Sequence, residues 1–184
     1  MQMETNEVNL TKVLTKIQRR PDLLEIVQYP NEILNMQSRL VTNDFAKIDD
    51  FQQLIADMEN TIVSYGALGL SAIQVGVNIQ LVVVRDNKQF YRMVNPIITK
   101  VSSEMDYSKE GCLSFPGVHM RIRRPSFVEV KYLDENGQSK ALVATGMLAR
   151  AVSHEVDHTH GKLFTSHMNA MEKEKVLKTL KKFK

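Results

Sequence analysis

The chain has 184 residues, of which 43% are hydrophobic and none is tryptophan. This length supports one hydrophobic core and is too short for two domains of ordinary size. The net charge is +3, but residues 162–184 hold seven lysines against Glu172 and Glu174, so the basic character is local to the C-terminal end.

Three features bear on the cellular compartment. No run of eighteen apolar residues could span a membrane, and residues 1–10 carry two glutamates where a signal peptide has basic and apolar residues. Cys112 is the single cysteine, which excludes an intramolecular disulfide and suits a reducing compartment. We therefore expect a soluble cytoplasmic protein that does not bind membranes.

The first predicted helix is short and amphipathic. It ends at Arg19-Arg20-Pro21, and its apolar residues at helical spacing are Leu10, Val13, Leu14 and Ile17. An organellar transit segment is the alternative, which the lack of serine and the two acids disfavour. We assign residues 1–22 to a helical extension and residues 23–184 to the main domain.

The next confident element is a helix that begins after Asp49 and Asp50, both able to cap it. Before it, residues 23–27 are a brief apolar run, a turn follows at Tyr29-Pro30, and the stretch to Asp44 has the pattern of a loop. The helix ends near Tyr65-Gly66, and its apolar face comprises Phe51, Leu54, Ile55, Met58 and Ile62.

Several β-branched or alternating runs follow an apolar loop at residues 67–74. Asn95-Pro96 is predicted to close the first hairpin, and Asp134-Glu135-Asn136-Gly137 to turn the last. The predicted strands cover residues 80–85, 91–94, 97–101, 127–133 and 138–144. These strands between helices predict an α+β fold.

Two helices complete the chain. Thr145 can cap a helix over residues 146–159, and Gly161 is well placed to end it. The last helix covers residues 169–183, with lysines on one side and, on the other, Met171, Val176, Leu177 and Leu180.

The stretch that carries most chemistry is Ser153-His154-Glu155-Val156-Asp157-His158. Histidines four apart lie one above the other on a helix, so both imidazoles can reach one metal ion. Glu155 can lean over the open position of that metal and accept a proton from a water molecule. Because this pattern also occurs by chance, it does not establish a metal site by itself.

A catalytic site of this kind commonly has three protein ligands. The extended pattern HExxHxxGxxH supplies a third histidine, but Phe164 stands at that position. His160 points away from the other two, and His167 lies beyond Gly161. We interpret both as surface residues, and Glu172 and Glu174 as parts of a solvated helix face.

The stronger candidate for the third ligand is Cys112, in Glu110-Gly111-Cys112-Leu113-Ser114. The glycine lets the backbone approach closely, and a thiol next to a metal loses its proton and binds the metal as a thiolate. A lone cysteine is usually a small core residue, but the two histidines favour the metal-binding interpretation here.

Three motifs together resemble those of the peptide deformylases, which remove the N-terminal formyl group from newly made polypeptides. They are Leu68-Gly69-Leu70-Ser71-Ala72-Ile73-Gln74, Glu110-Gly111-Cys112-Leu113-Ser114 and the HExDH of residues 154–158. The resemblance extends from about residue 23 to about residue 164. It implies the fold of that family, with antiparallel or mixed sheets around a central HExDH helix.

The sequence departs from the usual motifs at three positions. Ala67 replaces the first glycine of the glycine-rich motif, Ser71 its first alanine, and Ser153 a common glutamine before HExDH. None of these changes removes a ligand or the base, so activity is expected, although the pocket could be narrower or more polar.

The resemblance implies a role for each matching residue. Cys112, His154 and His158 would bind a divalent metal, and Glu155 would be the general base and then the acid. The Gln74 amide and the Leu113 backbone N–H would stabilise the oxyanion. Four residues would contact the substrate, and Asp157 is a further candidate for orienting the site. The four substrate-binding candidates are Leu68, Gly69, Glu110 and Gly111.

Iron(II) is the metal that the resemblance implies, and zinc, nickel or cobalt would satisfy the same ligands. The implied substrate is an N-formyl-Met peptide, and a ribosome contact through the lysine-rich C-terminal helix is the implied partner interaction. A peptidase and a structural metal-binding module are the competing interpretations. Deformylation of formyl-Met peptides, and its loss when Glu155 is replaced, would distinguish them.

Overall fold

The structure is a computed structural model that describes Leu14 and residues 19–20, 23–42 and 44–182. Within the predicted helical extension of residues 1–22 the structure describes Leu14, which is helical and buried in a core cluster, and Arg19–Arg20, which form a strand instead of continuing a helix. The division at residue 22 stays a prediction. The three described helices are α1 (Asp49–Ser64), α2 (Gly146–Thr159) and α3 (Ala170–Leu180).

The described strands form three antiparallel sheets. A five-stranded sheet has the order β3-β4-β5-β8-β9, and two-stranded sheets are formed by β1 with β2 and by β6 with β7. The strands are β1 (Arg19–Arg20), β2 (Leu23–Leu24), β3 (Gly69–Ser71), β4 (Leu81–Arg85), β5 (Phe90–Val101), β6 (Met105–Gly111), β7 (His119–Pro125), β8 (Phe127–Leu133) and β9 (Ser139–Thr145). The predicted α+β class is confirmed.

Strand β4 explains how the layers are arranged. Successive side chains of a strand point to opposite faces, and the valines of β4 follow this rule. Val83 packs in the cluster that includes α1, whereas Val82 and Val84 pack in the cluster that includes α2. The five-stranded sheet therefore lies between α1 and α2, and strand β4 is buried on both faces.

Helix α1 forms where the apolar spacing predicted it, and all five residues of the predicted apolar face are buried. The predicted caps are wrong, because the residue before the helix is Ile48, which makes no side-chain cap. Asp49 and Asp50 lie in the first turn, where negative charge is favourable next to the free backbone N–H groups.

Strand β5 is longer than predicted. Asn95-Pro96 does not close a hairpin, because β5 continues through it to Val101, with a register shift against β8 at this point. Asn95 takes a positive φ of 50°, and its side chain bonds both the N–H and the carbonyl of Val41. A bulge of this type tolerates a proline, since the local ladder is already interrupted.

The β6–β7 hairpin is absent from the predicted elements, although Glu110 and Gly111 belong to it. The turn from Cys112 to Val118 joins its two strands, and one of its two faces is largely exposed. Its missing signal has a simple cause: the inward face of β6 is polar, with Asp106, Ser108 and Glu110, so the strand lacks the apolar alternation that marks a half-buried strand.

Helix α2 begins and ends as predicted, with one difference at its start. Thr145 occupies the cap position without a side-chain hydrogen bond. Gly161 follows the helix with a φ of 67°, and a Cβ there would lie 2.4 Å from the Asn35 carbonyl oxygen. Glycine is therefore required at this position both by conformation and by space.

Helix α3 begins at a capping box in which Asn169 and Glu172 bond each other's backbone N–H groups. Val176 and Leu180 are buried as predicted. The predicted inward positions of Met171 and Leu177 are wrong, since these residues are 67% and 47% exposed. Only a narrow stripe of this helix packs on the body.

Candidate metal centre and active site

Helix α2 places the two histidines one turn apart on its buried face. The Nε2 atoms of His154 and His158 are 3.2 Å apart, and the residues are 6% and 1% exposed. Because both rings are buried and their Nε2 atoms adjoin, the two nitrogens can bind one common ion. The predicted pairing of these imidazoles follows directly from their i, i+4 spacing.

Cys112 joins the histidines from the turn after β6. Its Sγ lies 3.4 Å from Nε2 of His158, and the three donor atoms lie within 4.8 Å of one another. In a tetrahedral site, two nitrogen ligands would be about 3.3 Å apart, and a sulfur and a nitrogen about 3.6 Å apart, for ordinary zinc-ligand distances. These donors therefore fit a divalent cation with little movement.

The pKa values of the two histidines also suit a cation site. Burial, together with His154, holds the pKa of His158 well below its usual value, so this imidazole is neutral and its lone pair is free. Burial opposes a charge on His154, but Cys112 and Glu110 outweigh burial and raise its pKa. A cation would displace that proton when it binds.

No other residue in the described part of the chain joins this cluster. The group formed by Cys112, His154 and His158 is the only one of its kind found there. His160 and His167 are exposed, as predicted. Glu174 pairs with Lys178 on the surface of α3, and Glu172 caps that helix.

Glu110 orients His154. Its Oε1 lies 2.6 Å from Nδ1 of His154, so this nitrogen carries the hydrogen and Nε2 faces the cluster. Burial would raise the pKa of Glu110, but the bonds from His154 and Arg124 outweigh burial and lower the pKa well below its usual value. Its predicted contact with substrate stays a prediction, and the side chain is only 5% exposed.

Two arginines complete the surroundings of Glu110. Arg124 donates to both of its oxygens, at 3.1 and 2.8 Å, and Arg150 donates to Oε2 at 2.9 Å. Arg150 also pairs with Asp106. Neither arginine was predicted to belong to the site. Arg150 had a signal in the sequence, because it lies four residues before His154 on the buried face of α2.

Asp157 has partners other than the metal ligands. Its carboxylate pairs with Arg124 and with His167. Nδ1 of His158 has no hydrogen-bond partner within the described residues. If Asp157 orients the site, it does so through Arg124 and Glu110, since it does not bond either histidine ligand.

Glu155 lies beside the cluster with a free carboxylate oxygen. The residue is 5% exposed, and its Oε2 is buried without a partner among the described residues. Burial raises the pKa of Glu155 to about 7, in the range that suits a group that both accepts and returns a proton near neutral pH. An unpartnered buried oxygen next to a cation site is what a proton-accepting base requires.

Gly69 provides the space for Glu155. The predicted apolar loop at residues 67–74 is wrong in part, because Gly69–Ser71 forms the edge strand β3. A Cβ on Gly69 would lie 2.7 Å from Cγ of Glu155, which is closer than real Cβ atoms approach. Any larger residue would displace the carboxylate.

Gln74 is held with its amide nitrogen toward the cluster. Its Oε1 accepts hydrogen bonds from the Ser71 backbone N–H at 3.0 Å and from the Ser71 hydroxyl at 2.9 Å. Its Nε2 is consequently directed at Cys112 Sγ and Ser114 Oγ, at 3.4 and 3.3 Å. The departure at Ser71 thus adds a second donor that fixes the orientation of the amide.

These side chains open into one cavity of about 470 Å³. Nine of the ten residues predicted for the site line it, and the tenth, His158, lies behind the others. The nine are Leu68, Gly69, Gln74, Glu110, Gly111, Cys112, Leu113, His154 and Glu155. Three sequence-distant segments therefore converge on one cavity.

A buried Cys-His-His donor set, with a glutamate beside it and a cavity in front of it, defines the class of metal-dependent hydrolases. The sequence model of the polypeptide deformylase family matches residues 23–174. The chain belongs to this family. It is a hydrolase that removes the N-terminal formyl group from the formyl-methionine of nascent polypeptides and releases formate.

Known proteins support this assignment over most of the chain. The peptide deformylase of Borreliella burgdorferi is 38% identical over 157 residues, which are 84% of this chain and 93% of that protein. Peptide deformylase 1 of Pseudomonas syringae pv. tomato is 37% identical over 164 residues, 87% and 95% of the two chains.

Solved structures agree with the sequence relatives. The Legionella pneumophila deformylase superposes with a TM-score of 0.82 at 33% identity, covering 88% of this chain and 95% of that one. The Synechococcus elongatus deformylase, solved in complex with actinonin, has a TM-score of 0.80 at 36% identity, covering 89% of this chain and 88% of that one.

The described residues include no helix with the length and apolar character needed to span a membrane.

Proposed function

We propose that Cys112, His154 and His158 hold a divalent cation that serves the deformylation reaction. The observation that carries this proposal is the convergence of three ligand atoms within 4.8 Å of one another, next to the unpartnered Oε2 of Glu155. When bound, such a cation lowers the pKa of water and polarises a carbonyl group. With three protein ligands, the cation would keep a position for water or for the substrate.

Iron(II) is the native metal in this proposal, with zinc, nickel and cobalt able to replace it in purified protein. One thiolate and two imidazoles form a donor set of intermediate softness that accepts all four ions. The family resemblance favours iron(II). We further propose a cytoplasmic location, because a reducing compartment keeps the Cys112 sulfur from being oxidised.

Glu155 is the proton carrier in the proposed mechanism. Its free Oε2 accepts a proton from the attacking water, and the carboxyl group then returns the proton to the departing amine nitrogen. Burial raises the pKa of this carboxyl group to about 7, which favours a role as a proton acceptor and donor near neutral pH. Gly69 leaves space for this carboxylate, because a Cβ at position 69 would lie only 2.7 Å from Cγ of Glu155.

Two N–H donors would stabilise the charge that develops on the formyl oxygen. Gln74 offers Nε2, whose direction is set by the two bonds from Ser71 to Oε1. Leu113 offers a backbone N–H that makes no hydrogen bond within the described residues. Both donors lie next to Cys112, so a formyl group held at the cluster would be within their reach.

The peptide part of the substrate would bind along backbone groups. Strand β3 is an edge strand of the five-stranded sheet, and Gly69 within it lines the cavity. An extended peptide can add to such an edge through main-chain hydrogen bonds, which tolerate varied side chains. Gly111 exposes backbone on the opposite wall, and Leu68, 38% exposed, contributes apolar surface for the methionine side chain.

The decisive experiment combines metal analysis with an activity assay. Protein purified without oxygen is expected to contain about one divalent metal ion per chain, and to release formate from a formyl-Met peptide while leaving unformylated peptides intact. Cys112→Ala is expected to lose both the metal and the activity. Cleavage of internal peptide bonds without deformylation would contradict the proposal.

A ribosome contact through α3 is a separate proposal. Five lysines of the C-terminal segment are exposed, which suits contacts with RNA phosphates; they are Lys173, Lys175, Lys178, Lys181 and Lys182. Binding through phosphates weakens steeply with salt. Co-sedimentation with ribosomes should therefore fall as salt rises, and replacing three of these lysines by glutamine should weaken it at constant salt. Association that is absent or insensitive to salt would refute this contact.

A further inference from the structure

The β6–β7 hairpin turns one face to solvent, and this face is basic. Six residues share it, which we call the basic face; from the far end toward the cavity they are Tyr107, Arg123, Lys109, Arg121, Gly111 and His119. All six are exposed, and they alternate with more buried residues along both strands. The pleat of the hairpin therefore brings these side chains together.

The positive charge of the basic face is not compensated locally. The acids of β6, Asp106 and Glu110, point to the opposite face, where Arg150 pairs with both. By contrast, no ion pair involves Lys109, Arg121 or Arg123 within the described residues. The pleat thus places the acidic side chains of the hairpin on its buried face. Three cationic side chains without an ion pair among the described residues remain on the exposed face.

Tyr107 organises the two guanidinium groups. The Cζ atoms of Arg121 and Arg123 lie over its ring, 5.9 and 5.7 Å from the ring centroid. Cation–π contacts of this length hold a guanidinium group beside an aromatic ring while its N–H donors stay free. Two adjacent, oriented guanidinium groups are well suited to bind carboxylates.

The basic face is continuous with the active-site cavity. Its near end, formed by Lys109, Gly111 and His119, lines the cavity, and Gly111 directly precedes Cys112. Tyr107 lies four residues back along β6, about 13 Å away for an extended strand. An extended peptide covers that distance with about four residues, so a chain whose first residue lies at the metal site reaches the far end.

We propose that the basic face binds acidic side chains of the substrate, so that formyl-Met peptides with aspartate or glutamate at their third to fifth residues are preferred. This inference rests on the proposed function. Charge complementarity selects an anionic occupant, and continuity with the cavity selects the peptide that is being deformylated. Gly111 and His119 of the basic face line the active-site cavity, which favours the substrate peptide over a nucleic acid as the occupant.

The test compares two formyl-Met pentapeptides that differ only in carrying three aspartates or three alanines at residues three to five. The parent enzyme is expected to have a kcat/KM about three- to tenfold higher for the aspartate peptide, because exposed ion pairs contribute modestly. The ratio should fall toward one at high salt. In the double variant R121Q/R123Q it should be close to one at any salt concentration.

The matched control removes two exposed lysines from the five-stranded sheet. The double variant K100Q/K131Q has the same net charge as R121Q/R123Q, and it should keep the parental ratio. Equal kcat/KM values for the two peptides in the parent enzyme would overturn the inference. So would a preference that R121Q/R123Q retains, or a face that binds an RNA oligonucleotide while the peptide ratio stays at one.

A binding measurement separates this inference from the proposed function. Fluorescence anisotropy with labelled versions of the two peptides and the E155Q variant needs no turnover. The aspartate peptide should bind E155Q several-fold more tightly than the alanine peptide does. This difference should vanish in the triple variant R121Q/R123Q/E155Q. Failure to hydrolyse a short formyl-Met-Ala peptide would contradict the proposed function, while the anisotropy ratio would still decide the role of the basic face.

Discussion

Helices α1 and α2 pack on opposite faces of one sheet but bury different chemistry. The buried residues of α1 are apolar except for Thr61, whose hydroxyl is bonded to the Asp57 carbonyl and the Leu24 N–H. Helix α2 buries apolar residues against the sheet, but it also buries Arg150 and His154 against the β6–β7 hairpin and Glu155 beside Gly69 of β3. Thus the buried surface of α1 mainly stabilises the fold, whereas part of the buried surface of α2 forms the candidate site.

This difference has a testable form: changes beside α2 should affect activity more than stability, and changes in α1 the reverse. A buried carboxylate without a partner costs free energy in the folded state. Glu155 has such an oxygen. Helix α2 therefore tolerates a local cost in stability at Glu155.

The largest effect is expected for Glu155→Gln. Loss of the proton carrier should lower kcat about a thousandfold, within the usual range for general acid–base residues. The free energy of unfolding should stay the same or rise, because an uncharged amide replaces a buried acid. Formate release and chemical denaturation measure the two quantities, and metal content is the control. A metal-containing variant with parental activity would refute the role of Glu155.

The second effect is a loss of stability in α1. Leu54 is fully buried, so Leu54→Ala should lower the free energy of unfolding by about 2–5 kcal/mol, through lost burial and a residual cavity. The melting temperature should fall by about 2–4 °C for each kcal/mol. Activity per folded molecule, measured well below the transition, should be retained. A folded variant with much lower kcat would show that the two helices are not separable in this way.

Arg150→Met should give an intermediate result. It removes one of the two arginines that neutralise Glu110, leaving Arg124 in place. We expect a loss of about 1–3 kcal/mol in stability, together with weaker metal binding, because Glu110 holds the ring of His154. Arg92→Met is the control: Arg92 forms a half-exposed pair with Glu59, so its loss should cost less than about 1 kcal/mol. Equal effects of the two variants would argue against a role for Arg150 at the site.

The smallest effect is expected for Ser71→Ala, which restores the residue common in the family. The backbone N–H of residue 71 would still hold Gln74, but the hydroxyl donor would be lost. One neutral hydrogen bond corresponds to about a two- to tenfold fall in kcat, with KM little changed because Gln74 acts on the developing oxyanion. Ser166→Ala, which removes a remote hydroxyl bonded to Leu163, should leave kcat unchanged. An unchanged kcat in Ser71→Ala would assign the orientation of Gln74 to the backbone alone.

Local spacing in the sequence was sufficient for α1, α2 and the pair of histidines, because these depend on contacts within a few residues. Cys112 was predictable from its chemistry, since a third ligand had to exist and few residues could provide one. The β6–β7 hairpin was not predictable in this way. Its buried face includes Glu110 and Arg124, which can be buried because they pair with each other and with further partners, Arg150 for Glu110 and Asp157 for Arg124.

The remaining misses share a long-range cause. The continuation of β5 through Asn95-Pro96 depends on hydrogen bonds to Val41, and the need for glycine at position 69 depends on Glu155 in a distant helix. Neither partner is visible in the local pattern around these residues. A sequence read in short windows therefore identifies which groups react but not what holds them.

The alternation of the valines in β4 links the fates of the two halves of the molecule. Because neighbouring residues of one strand belong to the clusters on either side, neither cluster can loosen without removing support from the other. Thermal denaturation should consequently occur in a single cooperative step. The temperature at which the α1 side melts should then also be the temperature at which the cluster of Cys112, His154 and His158 comes apart.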